Sequence, residues 1–573
     1  VNQLAFDSAP ETGTRPQTTP ATASVSLLRV LAAHGVRVAF GIPGGSASPL
    51  FDGLREVPEI RFVPTRHEAM AGFAASGYAR ATGTPALVLT TSGPGMTNAI
   101  TGMAAAALEE LPAIFIAGEV ASGAVARGAL QDGSPAGTDM LSTVRSLTRW
   151  AATLQSPDAA PSTAERAWQQ ATGDRPGPVF LGVPLDVGSR PCVSATKLAT
   201  SSRPPMMPDL EACRTAAALL ASARRPLLLL GNGARGAAAD ALGLAERLSL
   251  PVAVTGHAKG VFPENHRLYL GVVGVGQHPS VSEYLEAGPD VVCVVGSRLG
   301  DIATNGWRLP IAGTRATIQI DRDPLLLGRN VPVTLGIVSD AGCALREIVD
   351  ALPGDTVPPL RAVSGCRSAR DHLAHSSAVP LKPQRVLAAL GDAFPGAIWC
   401  SDIGEHLTMA LHYLRVGGPD RFHAMAGFGS MGSGIGAAIG MKVARPDETV
   451  VAICGDGGLA MYAGELLTCA EQGIGVVFAV FNDGCWNMIE HGFRTVYGRV
   501  PPSLPSRVAD LAAVARGFGA QAARIERPDQ LGIDALRGLV EPHRPLLLDI
   551  RIDPSESFTG ESRAAALRHF AGT

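Results

Sequence analysis

Short apolar runs alternate with Ala-rich stretches of helical period along almost the whole chain, and each run closes on glycine or a polar residue. Examples are VRVAFGIPGG (36–45), TPALVLTTSGPG (84–95), LPAIFIAG (111–118), PDVVCVVGSRLG (289–300), ETVVAICGDGG (448–458) and GIGVVFAVFNDG (473–484). An unbroken apolar run suits a strand buried on both faces, and the stretches between suit crossover helices, so the pattern predicts parallel α/β sheets. Ligands of such sheets bind beyond the carboxyl ends of the strands, which draws attention to the residues that close the runs.

A chain of 573 residues is too long for one core. Two Ser/Pro/Gly-rich stretches, SATKLATSSRPPMMPD (194–209) and ALPGDTVPPLRAVSG (351–365), read as linkers. They leave three doubly wound α/β domains, at 25–193, 205–352 and 375–560, with tails at 1–24 and 561–573. The formal net charge is −3 and no Lys/Arg run tracks a phosphate backbone, which argues against a nucleic-acid partner. Nine cysteines lie scattered without CxxC pairs, as in a reducing compartment, so a cytoplasmic protein is expected. The first 24 residues lack the basic start and apolar core of a signal peptide, and no apolar stretch has bilayer-spanning length.

Within ETVVAICGDGG a single carboxylate, Asp456, stands between glycines, which is also ordinary turn chemistry. The next strand-like run closes on Asn482-Asp483-Gly484-Cys485, so one βαβ crossover would set Asp456 and Asp483 side by side. Two carboxylates in a small low-dielectric space repel strongly unless a cation compensates them. Mg²⁺ takes few protein oxygens and shares phosphate oxygens and water, so the pair reads as a magnesium-diphosphate clamp.

A GDG followed at this distance by Asn or Asp resembles the cofactor motif of the thiamine diphosphate (ThDP) enzymes. FGIPGG (40–45), TRHEAMAGFAASGYARATGTPALVLTTSGPGMTNAITG (65–102), GPVFLGVPLDV (177–187) and AGFGSMGSGIGAAIG (426–440) are similar, in the same order, to the acetohydroxyacid (acetolactate) synthase group, over roughly residues 24–560. The resemblance implies a ThDP- and Mg²⁺-dependent carboligase that decarboxylates a 2-oxo acid such as pyruvate and passes the acyl unit to an acceptor carbonyl. It implies metal ligation by Asp456, Asp483 and the Cys485 carbonyl, with Gly457 and Gly458 against the diphosphate. Glu68 would be the catalytic acid at the pyrimidine N1′, Gly429 would offer a carbonyl to the 4′-amino group, and Met431 would wedge between the two rings. His406 would contact the diphosphate, while Gly45 and Gln131 would face the substrate. Glu68 of one subunit would serve cofactor held by another, which implies a homodimer or homotetramer.

Plainer readings stand beside these. Glu68 also suits a helix start, Met431 suits core filling and a single His406 suits a structural role. Glu465, in the helix read at MYAGELLTCAEQG (461–473), suits a buried anchor. Gly231, Gly233 and Gly236 form a GxGxxG that also fits a nicotinamide oxidoreductase, although the following run PVAVTG (251–256) ends without the acid that should hold a ribose. By resemblance this domain holds FAD in some members and none in others, with Arg175 and Asp321 as flavin contacts, and both states stay open. A 2-oxo acid decarboxylase, a 2-hydroxy ketone lyase and a non-catalytic ThDP-fold protein are further alternatives. The chain also departs from the group. Asp483 stands where Asn is commoner and Glu405 where Gln is usual, and both add charge near the phosphates. Ile302 stands where an Arg pairs with the acceptor carboxylate, and Gly492 where a Trp favours 2-oxobutanoate. An uncharged acceptor is therefore expected.

Overall fold

The computed structural model describes residues 21–193, 204–311, 314–354, 365–502, 504, 507–558 and 567–568. The expected tail up to residue 20, the linker residues 194–203 and 355–364, and most of 561–573 lie outside them. The apolar runs form three six-stranded sheets in which every pairing between strands is parallel. The first contains β1 (Val38–Gly41), β2 (Arg61–Pro64), β3 (Ala86–Thr90), β4 (Ala113–Glu119), β5 (Trp150–Thr153) and β6 (Pro178–Pro184), in the order β2-β1-β3-β4-β6-β5. The second contains β7 (Pro226–Leu230), β8 (Val252–Thr255), β9 (Tyr269–Val273), β10 (Val291–Val295), β11 (Ala316–Asp321) and β12 (Leu335–Val338), in the order β12-β11-β10-β7-β8-β9. The third contains β13 (Ile398–Ser401), β14 (Phe422–Ala424), β15 (Val450–Gly455), β16 (Val476–Asn482), β17 (Gln521–Ile525) and β18 (Leu546–Arg551), in the order β14-β13-β15-β16-β18-β17. First and third sheets share one topology, and the second has the doubly wound dinucleotide-fold order.

The continuous apolar character of the runs has its cause in two-sided burial. The middle sheet covers both faces within its own domain, with Leu228, Cys293 and Ile318 on one side and Leu227, Leu229 and Val294 on the other. The outer sheets instead share a core, in which Phe40, Phe73 and Phe115 join Ile435, Ile439 and Phe478. The junction is a crossing of the helices Glu68–Thr82 and Ser433–Ala444. Small residues permit it: a Cβ on Gly440 would collide with the Ala74 carbonyl, and one on Gly77 with the Ala437 backbone.

The single helix read at 461–473 is two helices, Asp456–Tyr462 and Glu465–Gln472. The break serves a contact between domains, because Glu465 Oε1 accepts from Arg66 N (2.8 Å) and His67 N (3.2 Å) on the loop before Glu68. Among the described residues no helix is long and apolar enough to cross a membrane.

Candidate active site

Each sheet has a point where the strand order switches direction, between β1 and β3, between β7 and β10, and between β13 and β15. Loops leaving neighbouring strands there go to opposite faces and open a crevice. Most of the candidate site residues lie at or beside these three crevices.

At the third, Asp456 follows β15 and Asp483 follows β16, strands in register through Gly455 and Phe481. Asp456 Oδ1 accepts from Gly457 N (2.9 Å) and its Oδ2 from Gly484 N (3.1 Å), while Asp483 Oδ1 accepts from Cys485 N (3.2 Å). Burial, and then the Asp483 charge, push the Asp456 carboxyl up to about 6. Burial raises Asp483 as well, with a smaller contribution from Glu405. Among the described residues no group of three or more His, Cys, Asp or Glu gathers as a metal cluster, so any ion here would have two carboxylates and backbone oxygen.

Around this pair the crevice is tightly built. Asp402, fully buried after β13, accepts from Gly432 N (2.9 Å) and Gly434 N (3.1 Å), which pins the loop that carries Gly429 and Met431. A Cβ on Gly458 would stand 2.5 Å from Asp402 Oδ2, so this glycine is required by packing. A Cβ on Gly457 would meet Trp486 Nε1 at 2.8 Å and Met431 Cε at 3.3 Å, which puts both side chains over the GDG turn. Gly429 is exposed, with open space where a side chain would be. The His406 ring packs beside Gly404 and Gly455, and burial pushes its pKa down to about 4. Its Nε2 is buried without a partner among the described residues. Glu405 faces away: its Oε2 pairs with His491 Nδ1 (2.7 Å) and its Oε1 accepts from Phe558 N (3.0 Å). The charge that Glu405 adds is thus partly answered by His491, whose pKa this bond raises.

Glu68 opens the helix Glu68–Thr82 and is 8% exposed. It is not the cap, because His67 holds that position and its ring accepts from Ala69 N (3.1 Å). Asn98 Nδ2 donates to Glu68 Oε2 at 3.0 Å. At the first crevice, Gly45 starts a short turn in open space, and Gln131 Oε1 accepts from Thr91 Oγ1 at 3.3 Å.

A cavity of about 760 Å³ follows the second crevice and reaches all three domains. Arg175 and Asp321 line it, with Arg175 bonded to Glu110 (3.1 Å) and Asp323 (2.8 Å). Ile302, Phe428, Gly429 and Met488 line it as well. Two glycines of the GxGxxG have a packing cause, since a Cβ on Gly231 or Gly233 would collide with Gly296, while one on Gly236 would meet nothing. The chain leaves Gly231 in a 3-10 turn, Asn232–Ala237, and the α-helix Ala238–Leu248 starts only after the glycines, so its N-terminus is set back from where it would hold a dinucleotide phosphate. The nicotinamide reading loses its support there.

Three family models match the chain: the N-terminal TPP binding domain of the thiamine pyrophosphate enzymes over residues 21–138, their central domain over 213–348, and their C-terminal TPP binding domain over 402–550. A probable acetolactate synthase large subunit of Methanocaldococcus jannaschii is 32% identical over 553 residues, 93% of this chain and 92% of the relative. The chain belongs to the thiamine pyrophosphate (ThDP) enzymes. Acetolactate synthase large subunits of Parasynechococcus marenigrum (31% identical, 95% of this chain and 89% of the relative) and Escherichia coli (isozyme 3; 30%, 92% and 94%) are similar over nearly the same span.

In this ThDP enzyme several site residues escape a reading of the sequence. Asp402 is one acid after an apolar run, SDIGEH, with nothing local to show that it would reach a loop about 30 residues on. Asn98 and His491 likewise have roles only through partners distant in sequence. Glu119, which closes β4, carries a signal of the kind that marked Asp456, an acid at the end of an oily run.

Proposed function

We propose that this ThDP enzyme is a carboligase of the acetolactate synthase type, which decarboxylates a 2-oxo acid, pyruvate in the simplest case, and transfers the acyl unit to an acceptor carbonyl. The observation that carries the reading is the pair Asp456 and Asp483 at neighbouring strand ends, facing one crevice beside Met431. Two half-buried carboxylates raised by desolvation and by neighbouring negative charge fit a hard divalent cation, with Mg²⁺ the match for so few protein oxygens. The unpartnered His406 Nε2 and the glycines at 457 and 458 fit a diphosphate beside it.

When bound, thiamine diphosphate supplies a thiazolium that accepts the electron pair left by a departing carboxylate. The chain supplies the rest. Asp456, Asp483 and the Cys485 carbonyl would hold Mg²⁺, and Asp402 keeps the Gly429–Met431 loop in place for the rings. Glu68, fixed by Asn98 in a nearly dry site, would hold a proton at the pyrimidine nitrogen. Gly45 and Gln131 would bound the substrate. The cavity beyond Gly429 fits an FAD-sized dinucleotide, with the Asp321 carboxyl at a strand end suited to a ribose diol, and a bound flavin there would be structural. Apolar side chains exposed around the third crevice, among them Phe428, Met461, Trp486 and Ile489, support a homodimer or homotetramer in which another subunit covers them.

Protein loaded with ThDP and Mg²⁺ should release CO₂ from pyruvate and form acetolactate or another 2-hydroxy ketone, separable by mass from acetaldehyde. Acetaldehyde alone would make it a decarboxylase. Cleavage of a 2-hydroxy ketone, without CO₂ release from any 2-oxo acid, would make it a lyase.

A further inference from the structure

The loop that carries Gln131 rests on a buried carboxyl for which the proposed reaction has no use. Glu119 is the last residue of β4, and Ser92 Oγ donates to its Oε2 at 2.9 Å. The chain returns over it at Gly133, where a Cβ would stand 2.6 Å from Glu119 Oε2 and 2.8 Å from Ser92 Oγ. Only glycine passes so close. Two residues earlier Gln131 takes a positive φ of 61°, a conformation that a side-chain-bearing residue keeps only when its surroundings enforce it. Its bond to Thr91 Oγ1 continues to Ser46 Oγ (2.9 Å), which accepts from Ser92 N at 3.0 Å. Glu119 and Gln131 are therefore two ends of one polar seam beneath the loop.

We propose that Glu119 is a positioning residue whose neutral carboxyl seats residues 131–133 and so aims the Gln131 amide at the first crevice, and whose ionisation lifts that loop. The neighbours bear this out chemically. β6 presents Gly182 and β5 presents Thr153, neither of them charged, and the residue before Gly133 is Asp132, a half-buried acid held below its usual range by bonds to Ser134. Burial, with the Asp132 charge adding to it against the Ser92 bond, pushes the Glu119 carboxyl up to about 7. An acid raised on folding favours the folded arrangement below its ordinary value of 4.5, and that contribution is lost as pH rises through about 7. Seating is thus complete in mild acid and lost in mild base. The effect on turnover rests on the reading of Gln131 as a substrate contact; the seating does not.

The test is amide hydrogen exchange of residues 126–139 in the ThDP- and Mg²⁺-loaded enzyme, corrected for intrinsic pH dependence, across about pH 5.5 to 8.5. Wild type should show exchange rising about tenfold with a midpoint near 7, while Glu119→Gln, which keeps the shape and cannot ionise, should stay protected throughout. Asp132→Asn, which keeps an oxygen for Ser134 N, should keep the transition and move it to lower pH by removing a like charge. A kcat/KM limb near pH 7 that disappears in Glu119→Gln would tie the seat to catalysis. A loop whose exchange ignores pH in wild type, or an unchanged midpoint in Asp132→Asn, would overturn the proposal. Correct seating in a protein that turns over no 2-oxo acid would leave the seat standing and remove the carboligase reading instead.

Discussion

Asp456 and Asp483 place two acids at neighbouring strand ends, and burial raises both carboxyls. Asp456→Ala should therefore abolish Mg²⁺-dependent ThDP binding in calorimetry, since it removes a ligand and leaves diphosphate charge less compensated. Asp483→Asn should act differently: it should retain ThDP binding and raise the Tm of the cofactor-free protein, because one of two repelling charges disappears while the oxygen ligand stays. Glu68→Gln should leave ThDP affinity within about twofold and slow exchange of the cofactor C2 proton about a hundredfold, as expected when a positioned acid is lost. Exchange at the parental rate would take Glu68 out of the mechanism. Glu68 does open its helix, with His67 at the cap, so the helix-start reading predicts lost stability and an unchanged exchange rate. The GDG pair was legible because both acids close apolar runs and one crossover separates them. Asp402, more deeply buried and equally central, was not, because its meaning lies in two backbone N–H groups that no local pattern announces.

Among the elements, the helix Asn487–Tyr497 is the most loosely held at the site, with only Asn487 and Gly492 buried. Its anchor is His491 on Glu405, an ion pair that also receives the Phe558 N–H on the carboxylate's other oxygen. The bond to Glu405 raises the His491 pKa, so its contribution is complete below the ordinary value of 6.5 and lost as pH rises through the raised one. Proteolysis within 487–497 should accordingly quicken in mild base, and His491→Ala should show the fast rate at every pH. The helix crossing makes a second prediction. Gly440→Ala would drive a methyl into the Ala74 carbonyl and should cost about 3 kcal/mol or more, seen as a large fall in Tm. Strands could be read directly from the sequence, since two-sided burial leaves an unbroken apolar run. The helix break before Glu465 could not, because its cause is the Arg66 loop in another domain; a Cβ on Gly464 would meet Arg66 Cβ at 3.2 Å.

At the scale of the molecule, the proposed choice of acceptor is assigned to a cavity that no single domain encloses. Ile302 from the middle domain and Gly429 and Met488 from the third line it together. If acceptor carboxylates are unmatched there, aldehydes should compete well with 2-oxobutanoate, and Ile302→Arg should move the ratio toward the 2-oxo acid by about tenfold, through a charge-assisted pair. Efficient selection of 2-oxobutanoate by the unaltered chain would overturn the expectation of an uncharged acceptor. The core shared by the outer sheets also acts in time. Its first contributors end at Phe180 and the rest begin at Ile398, so a ribosome adding about 5–20 residues per second leaves a gap of roughly 10–40 s. For that interval the newborn amino-terminal sheet displays Met70, Phe73 and Ile439's future seat to solvent or to a chaperone, and translation stalled between those points would release a product with an uncovered, adhesive face.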